Sequence, residues 1–116
     1  MAGDVLISNA KSWTAGSLAF RAIVGLAKKL VERGDASLAR KLYEPVQDGM
    51  DFLDLTGLGA DEYRKVYAAL TLHYLMSKNA GRMGSLDAKY LASTLEQFQI
   101  LLKHLGSDTR AKAEGK

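Results

Sequence analysis

Apolar residues in this chain recur at intervals of three and four, with little to interrupt them. Leu91, Leu95, Phe98, Leu102 and Leu105 alternate by four and three, and Leu38, Leu42, Val46, Met50 and Leu53 follow at four, four, four and three. That period keeps side chains on one face of an α-helix, whereas a strand repeats every two residues. The single proline, Pro45, falls inside the second stripe. β-rich domains need frequent turn residues, and the sequence lacks such punctuation. The spacing therefore predicts an all-α fold: a compact antiparallel bundle of four main helices, the second kinked at Pro45.

Boundary residues sharpen this expectation. Thr14 reads as the N-cap of the first helix, with Trp13 and Leu18 as a hydrophobic staple. Leu18, Ala22, Ile23, Leu26, Leu30 and Val31 share its apolar face, and Arg33-Gly34 stops it. Asp35 caps the second helix, whose Pro45 ring opposes the Lys41 carbonyl; the alternative is two short helices split near Glu44. Gly59 caps the third helix, with Asp61 and Glu62 in the first turn, where carboxylates favour the helix dipole. This helix has two apolar faces, one of Tyr63, Val66, Tyr67, Leu70 and Tyr74, the other of Ala68, Leu72, Leu75 and Met76. It reads as a central helix touched from two sides. Asn79-Ala80-Gly81 ends it, Ser85 caps the fourth helix and Gly106 stops that one. Three segments result: an N-terminal arm or short helix over 1–13, a helical domain over 14–106 and a mobile polar tail over 107–116.

Composition excludes several classes. The chain has 116 residues, 47% of them hydrophobic, enough for one core and too many for a disordered chain. With no cysteine there is no disulfide framework and no thiolate zinc site. Val5-Leu6-Ile7 is too short for an export signal, and the apolar stretch from Tyr67 to Met76, broken by Thr71 and His73, is far short of a membrane span. A cytoplasmic protein with no membrane association and no cofactor is expected. Catalytic motifs are missing as well. His73 and His104 are the only histidines, and no glutamate has a histidine three residues on. His73, among Tyr67, Leu70 and Tyr74, reads as a core or interface histidine that finds a hydrogen bond; the alternative is a general base near the tyrosine hydroxyls. The expectation is a non-enzymatic protein without a metal site.

Charge is unevenly laid out. The net charge is +3, yet Lys11 to Lys41 carries seven basic and two acidic residues, and Glu44 to Glu62 carries six acidic and none basic. Glu44, Asp48 and Asp51 stand at i, i+4 and i+7, a single stripe on a helix, with Asp54 close by. Such a stripe suits docking to a protein partner with a basic surface, where complementary charge steers association and fixes register. Acidic helical faces suit proteins that cover basic enzymes such as nucleases. The leading reading is therefore a protein-binding module of bacterial immunity, antitoxin or regulatory type, using Glu44, Asp48, Asp51 and Asp54. The basic cluster near the start also answers the acidic block of a second copy, so a homodimer is compatible.

An alternative reading is a sequence-nonspecific nucleic-acid binder. Lys28, Lys29 and Arg33 lie on the first helix, and Leu55-Thr56-Gly57-Leu58-Gly59 leads into the third. The Gly57-Leu58-Gly59 turn, with Val66 at a packing position, resembles the hairpin of helix-hairpin-helix domains. The resemblance covers about a dozen residues. It implies that backbone N–H groups around Gly57 and Gly59 bind a phosphate without reading sequence.

Overall fold

The computed structural model describes residues 2–111 and overturns the all-α expectation. The fold is mixed α/β. Strand β1 (Ala2–Ser8) is the centre of a three-stranded sheet, with β2 (Lys11–Gly16) antiparallel on one side and β3 (Phe52–Asp54) parallel on the other. The stretch read as an arm or short helix holds β1 and the start of β2. Its signal is a period of two, carried over too few residues to stand out beside the helical stripes. Gly3, Val5 and Ile7 are buried while Asp4, Leu6 and Ser8 are half-buried on the opposite face. Trp13 and Ala15 are buried between exposed Ser12 and Thr14. Thr14 is thus a strand residue, not a helix cap; it pairs with Asp4 in register and donates its hydroxyl to that carboxylate at 2.7 Å.

Helix α1 spans residues 17–34, and its middle turn, Arg21–Gly25, is a π-helix. The wider turn rotates the faces on either side of it. Phe20, Ile23, Val24, Ala27 and Val31 enter the core, while Leu18 and Leu26, expected inside, face solvent. Two buried side chains answer carbonyls of the π turn. His73 Nε2 lies 2.9 Å from the Ala22 carbonyl, and the Tyr43 hydroxyl donates to the Val24 carbonyl at 2.8 Å.

Helix α2 (Ala36–Leu42) begins at Asp35, whose carboxylate accepts from the Leu38 amide at 3.0 Å. It does not run on through Pro45 as one kinked helix. Tyr43 ends it, and Pro45 sits in the first turn of a separate one-turn helix, α3 (Glu44–Gln47). There its missing N–H leaves no hydrogen bond unmade. Gly49, at φ 90°, then turns the chain towards β3, so Leu53 belongs to a strand.

Helix α4 (Ala60–Ala80) starts at Gly59 and ends at Gly81, where φ is 69° and the amides of Gly81 and Arg82 both reach the Ser77 carbonyl. Tyr63, Val66, Leu70 and Tyr74 face the core. Helix α5 (Leu91–Gly106) is entered through a 3-10 turn, Ala88–Tyr90, capped by Asp87 rather than by Ser85. It packs on α4 and against β2, where the Trp13 indole N–H donates to the Gln97 carbonyl at 3.1 Å. α1 and α5 both pack on α4, but not over its second apolar face: Leu72, Leu75 and Met76 are each about half exposed.

The polar stretch after α5 is described as far as Ala111; residues 112–116 lie outside the described residues. Thr109–Ala111 forms a 3-10 turn that brings Arg110 back to the sheet. Its guanidinium donates to the carbonyls of Ile7 (2.6 Å), Leu55 (2.7 Å) and Leu58 (2.9 Å). It also pairs with Asp108 at 2.9 Å and lies 4.2 Å from the centroid of the buried Tyr63 ring. The hydrogen bond from Arg110 holds the Asp108 carboxyl below the usual carboxylate range.

Two predictions follow from this packing. A Cβ on Gly3 would overlap the fully buried Phe20 ring, which has no room to retreat. Gly3→Ala should cost about 1–3 kcal/mol, the usual penalty for overpacking, read as a lower urea midpoint at unchanged slope. Arg110→Lys keeps the charge but loses the fork that serves three carbonyls, and should cost about 2–4 kcal/mol in the same assay. The pH dependence separates the two. Asp108 titrates lower when folded, so its contribution is present above about pH 4 and is lost as pH falls through the folded value. That acid-linked loss should persist in Gly3→Ala and shrink in Arg110→Lys.

Candidate functional site

Helices pack on one face of the sheet, which leaves alternate residues of the strands on an open face. The register sets out two rows there: Thr14, Asp4 and Phe52, then Ser12, Leu6 and Asp54. Phe52, Leu6 and Asp4 are half-buried against one another, and Asp54 is exposed. At the β3 edge, Met50 is 53% exposed, and Glu44 and Asp48 are exposed on and just after α3. An apolar strip of Leu6, Phe52 and Met50 is thus flanked by carboxylates.

The four acidic residues read as one helical stripe do not share a helix. Glu44 opens α3, Asp48 is its C-cap, Asp51 precedes β3 and Asp54 closes β3. Their environments differ. Glu44 and Asp48 have no ion-pair partner among the described residues. Asp51 is half-buried and committed. A hydrogen bond from Ser17 and one from Arg21, with the ion pair to Arg21 at 3.3 Å, hold its carboxyl below the usual range. Asp54 accepts from the Thr56 amide at 2.9 Å and the Thr56 hydroxyl at 2.6 Å, which shapes the turn into α4. Asp4 joins this surface although sequence reasoning passed over it. Its pairing with Phe52 and Thr14 depends on strand register, which helical spacing does not reveal.

The turn at Gly57 and Gly59 is held from within. Arg110 occupies the carbonyls of Leu55 and Leu58, and the Asp54 carboxylate already sits on the Thr56 amide. Gly57 lies beside Lys41, Pro45 and Asp54 in a shallow groove. On α1, Lys29 and Arg33 are exposed and Lys28 is half-buried. Near them Lys65 pairs with Asp35 at 3.0 Å, so α4 begins beside the end of α1.

His73 is 8% exposed. Its Nε2 faces a backbone carbonyl, which only accepts, so the proton resides there and Nδ1 faces the Ser77 hydroxyl at 3.5 Å. The ring leans on Phe98, centroid to centroid 5.4 Å. Its hydrogen bond to Ala22 serves the α1–α4 contact. His104 is half-buried in the last turn of α5. Among the described residues no group of three or more histidine or acidic residues is placed to hold a metal ion, and no helix is long and apolar enough to cross a membrane.

No protein-family model matches the sequence, and no curated protein does. The fold itself is found among solved structures. The CdiA-CT toxin from Burkholderia pseudomallei E479 in complex with its cognate CdiI immunity protein contains a chain that superposes with a TM-score of 0.76. The match covers 95% of this chain and 99% of that one, at 16% identity. At that identity the likeness is one of fold.

Proposed function

We propose that this chain is a non-enzymatic protein-binding module of the immunity type, which covers a basic protein partner with its acidic edge and open sheet face. The single observation that carries the reading is the fold. It is shared, along nearly the whole of both chains, with a chain from a complex between a toxin and its immunity protein. Each component of such a complex binds a protein.

The surface chemistry supports the immunity side. Glu44 and Asp48 keep their charge free of ion pairs among the described residues, beside exposed Met50 and half-buried Phe52. An apolar centre with a charged rim is how protein interfaces are built. Carboxylates in the rim raise the association rate with a cationic partner and repel nucleic acid. A nuclease toxin must itself be cationic where it meets phosphates, so one acidic surface can both attract it and block its substrate. Asp51 contributes chiefly by holding Arg21, and Asp54 by shaping the turn while presenting its exposed edge.

The rival reading, nonspecific nucleic-acid binding through Lys28, Lys29 and Arg33 with the Gly57–Gly59 turn, places the contact elsewhere on the molecule. One experiment separates the two. Biosensor binding is measured against a panel of basic nuclease toxins and, in parallel, against labelled RNA. We expect one polypeptide to bind with an association rate that falls about tenfold or more between roughly 50 and 300 mM salt. Glu44→Lys with Asp48→Lys should slow association further, by about tenfold, while the urea midpoint changes little. Association that ignores both salt and charge reversal overturns the proposal, as does RNA binding that Lys28→Gln, Lys29→Gln and Arg33→Gln together abolish.

A further inference from the structure

Resting on the acidic-face reading, we propose that the same partner seats one apolar anchor side chain, flanked by basic residues, in a cleft between α1 and the loop 83–87. Leu18 and Leu26 form its α1 wall, Leu86 faces them, and Ala22 and Met83 make the floor. The floor is core: Met83 is 1% exposed and Ala22 8%. The wall is not, since Leu18 is 56% and Leu26 43% exposed. Two leucines held at the surface on either side of a buried alanine make an apolar socket, a costly arrangement for a face that meets only water.

The backbone builds this socket. Leu18 and Leu26 stand on either side of the π turn at Arg21–Gly25, which departs from the regular α-helical step, and both are exposed with small, buried Ala22 between them. The opposite wall is fixed as well. Gly84 takes a left-handed φ of 54° and passes so near Leu26 that a Cβ there would stand 2.7 Å from its Cδ1. The cleft is therefore present before anything binds, which lowers the ordering cost of filling it.

The lip says what fills it. Arg21 and Asp87 stand there. Arg21 is spent on Asp51, the residue that joins this lip to Asp48 and Met50 of the acidic face. The charge left at the lip is acidic and continuous with the proposed interface. It fits an apolar anchor set among lysines or arginines, in the pattern of one deeply buried side chain ringed by charges that dominates many interfaces.

The test titrates the full chain, 15N-labelled, with a blocked peptide Lys-Lys-Trp-Lys-Lys and its control Lys-Lys-Gly-Lys-Lys. We expect both peptides to move amide signals between residues 44 and 54. Only the tryptophan peptide should move those of residues 18–26 and 83–87, and it should bind at least about fivefold more tightly, equivalent to roughly 1 kcal/mol. Leu18→Ala and Leu26→Ala, both at exposed positions, should each narrow that difference while keeping a folded spectrum. Equal affinities without shifts at the cleft overturn the anchor and leave the acidic reading standing. If neither peptide binds, both fall. Shifts at the cleft that grow with protein concentration in the absence of peptide mean that a second copy fills it, and also overturn the proposal.

Discussion

The whole arrangement depends on β1 being paired along both edges while only one of its faces is covered. Its antiparallel neighbour follows at once, after Asn9 and Ala10, but a parallel neighbour cannot be reached by a tight turn. The chain has to leave the sheet and return, and it does so through α1, α2 and α3 before β3 joins Val5 to Leu53. The Asp4 amide to the Asp51 carbonyl at 3.0 Å and the Leu55 amide to the Leu6 carbonyl at 2.8 Å extend that pairing at both ends of the short β3. Core formation and surface formation are one event here. Burying Gly3, Val5, Ile7 and Leu53 under the helices turns Asp4, Leu6, Phe52 and Asp54 to the other side.

That coupling explains what could be read from the sequence and what could not. Local signals held where local chemistry decides the outcome. Asp35 caps α2, Gly59 precedes α4 and Gly81 ends it, because each serves orphan backbone groups within a few residues. Non-local features were invisible. β3 has three residues, too few to show any period, and exists because β1 is there to pair with it. The apolar stripe through Pro45 to Leu53 kept its spacing by coincidence across a helix end, a left-handed Gly49 and a strand. For the same reason the acidic residues kept a helical spacing with no helix to carry it. Glu44, Asp48 and Asp54 are still exposed at one edge of the fold, but strand geometry rather than a helix face sets where they stand, and it adds Asp4.

The π turn is the second feature that periodicity missed. The sequence spacing predicts Trp13 and Leu18 as a staple and Leu26 in the core. The structure instead buries Trp13 under α5 and turns both leucines out. A π turn is tolerable only where its backbone groups find partners, and here two distant side chains, His73 and Tyr43, supply them from inside the core. His73 is the hydrogen-bonded core histidine that its apolar and tyrosine neighbours in the sequence suggest. Its hydrogen bond joins α4 to the segment of α1 that shapes the cleft.

Charge follows the same logic of commitment. Of the acidic residues in the middle of the chain, Asp51 is bound to Arg21, Glu62 lies 3.6 Å from Lys41, and Asp61 pairs with Arg64 within its own helix. Glu44 and Asp48 keep no such partner among the described residues, and both stand at an edge where apolar side chains are also exposed. Exposed ion pairs contribute little to stability, so the difference is not one of folding energy. It matters for recognition, because a carboxylate already paired has little field left to offer, whereas an unpaired one projects over a Debye length. The paired Arg21–Asp51 couple sits between the acidic edge and the cleft of Leu18 and Leu26, and its two charges cancel there.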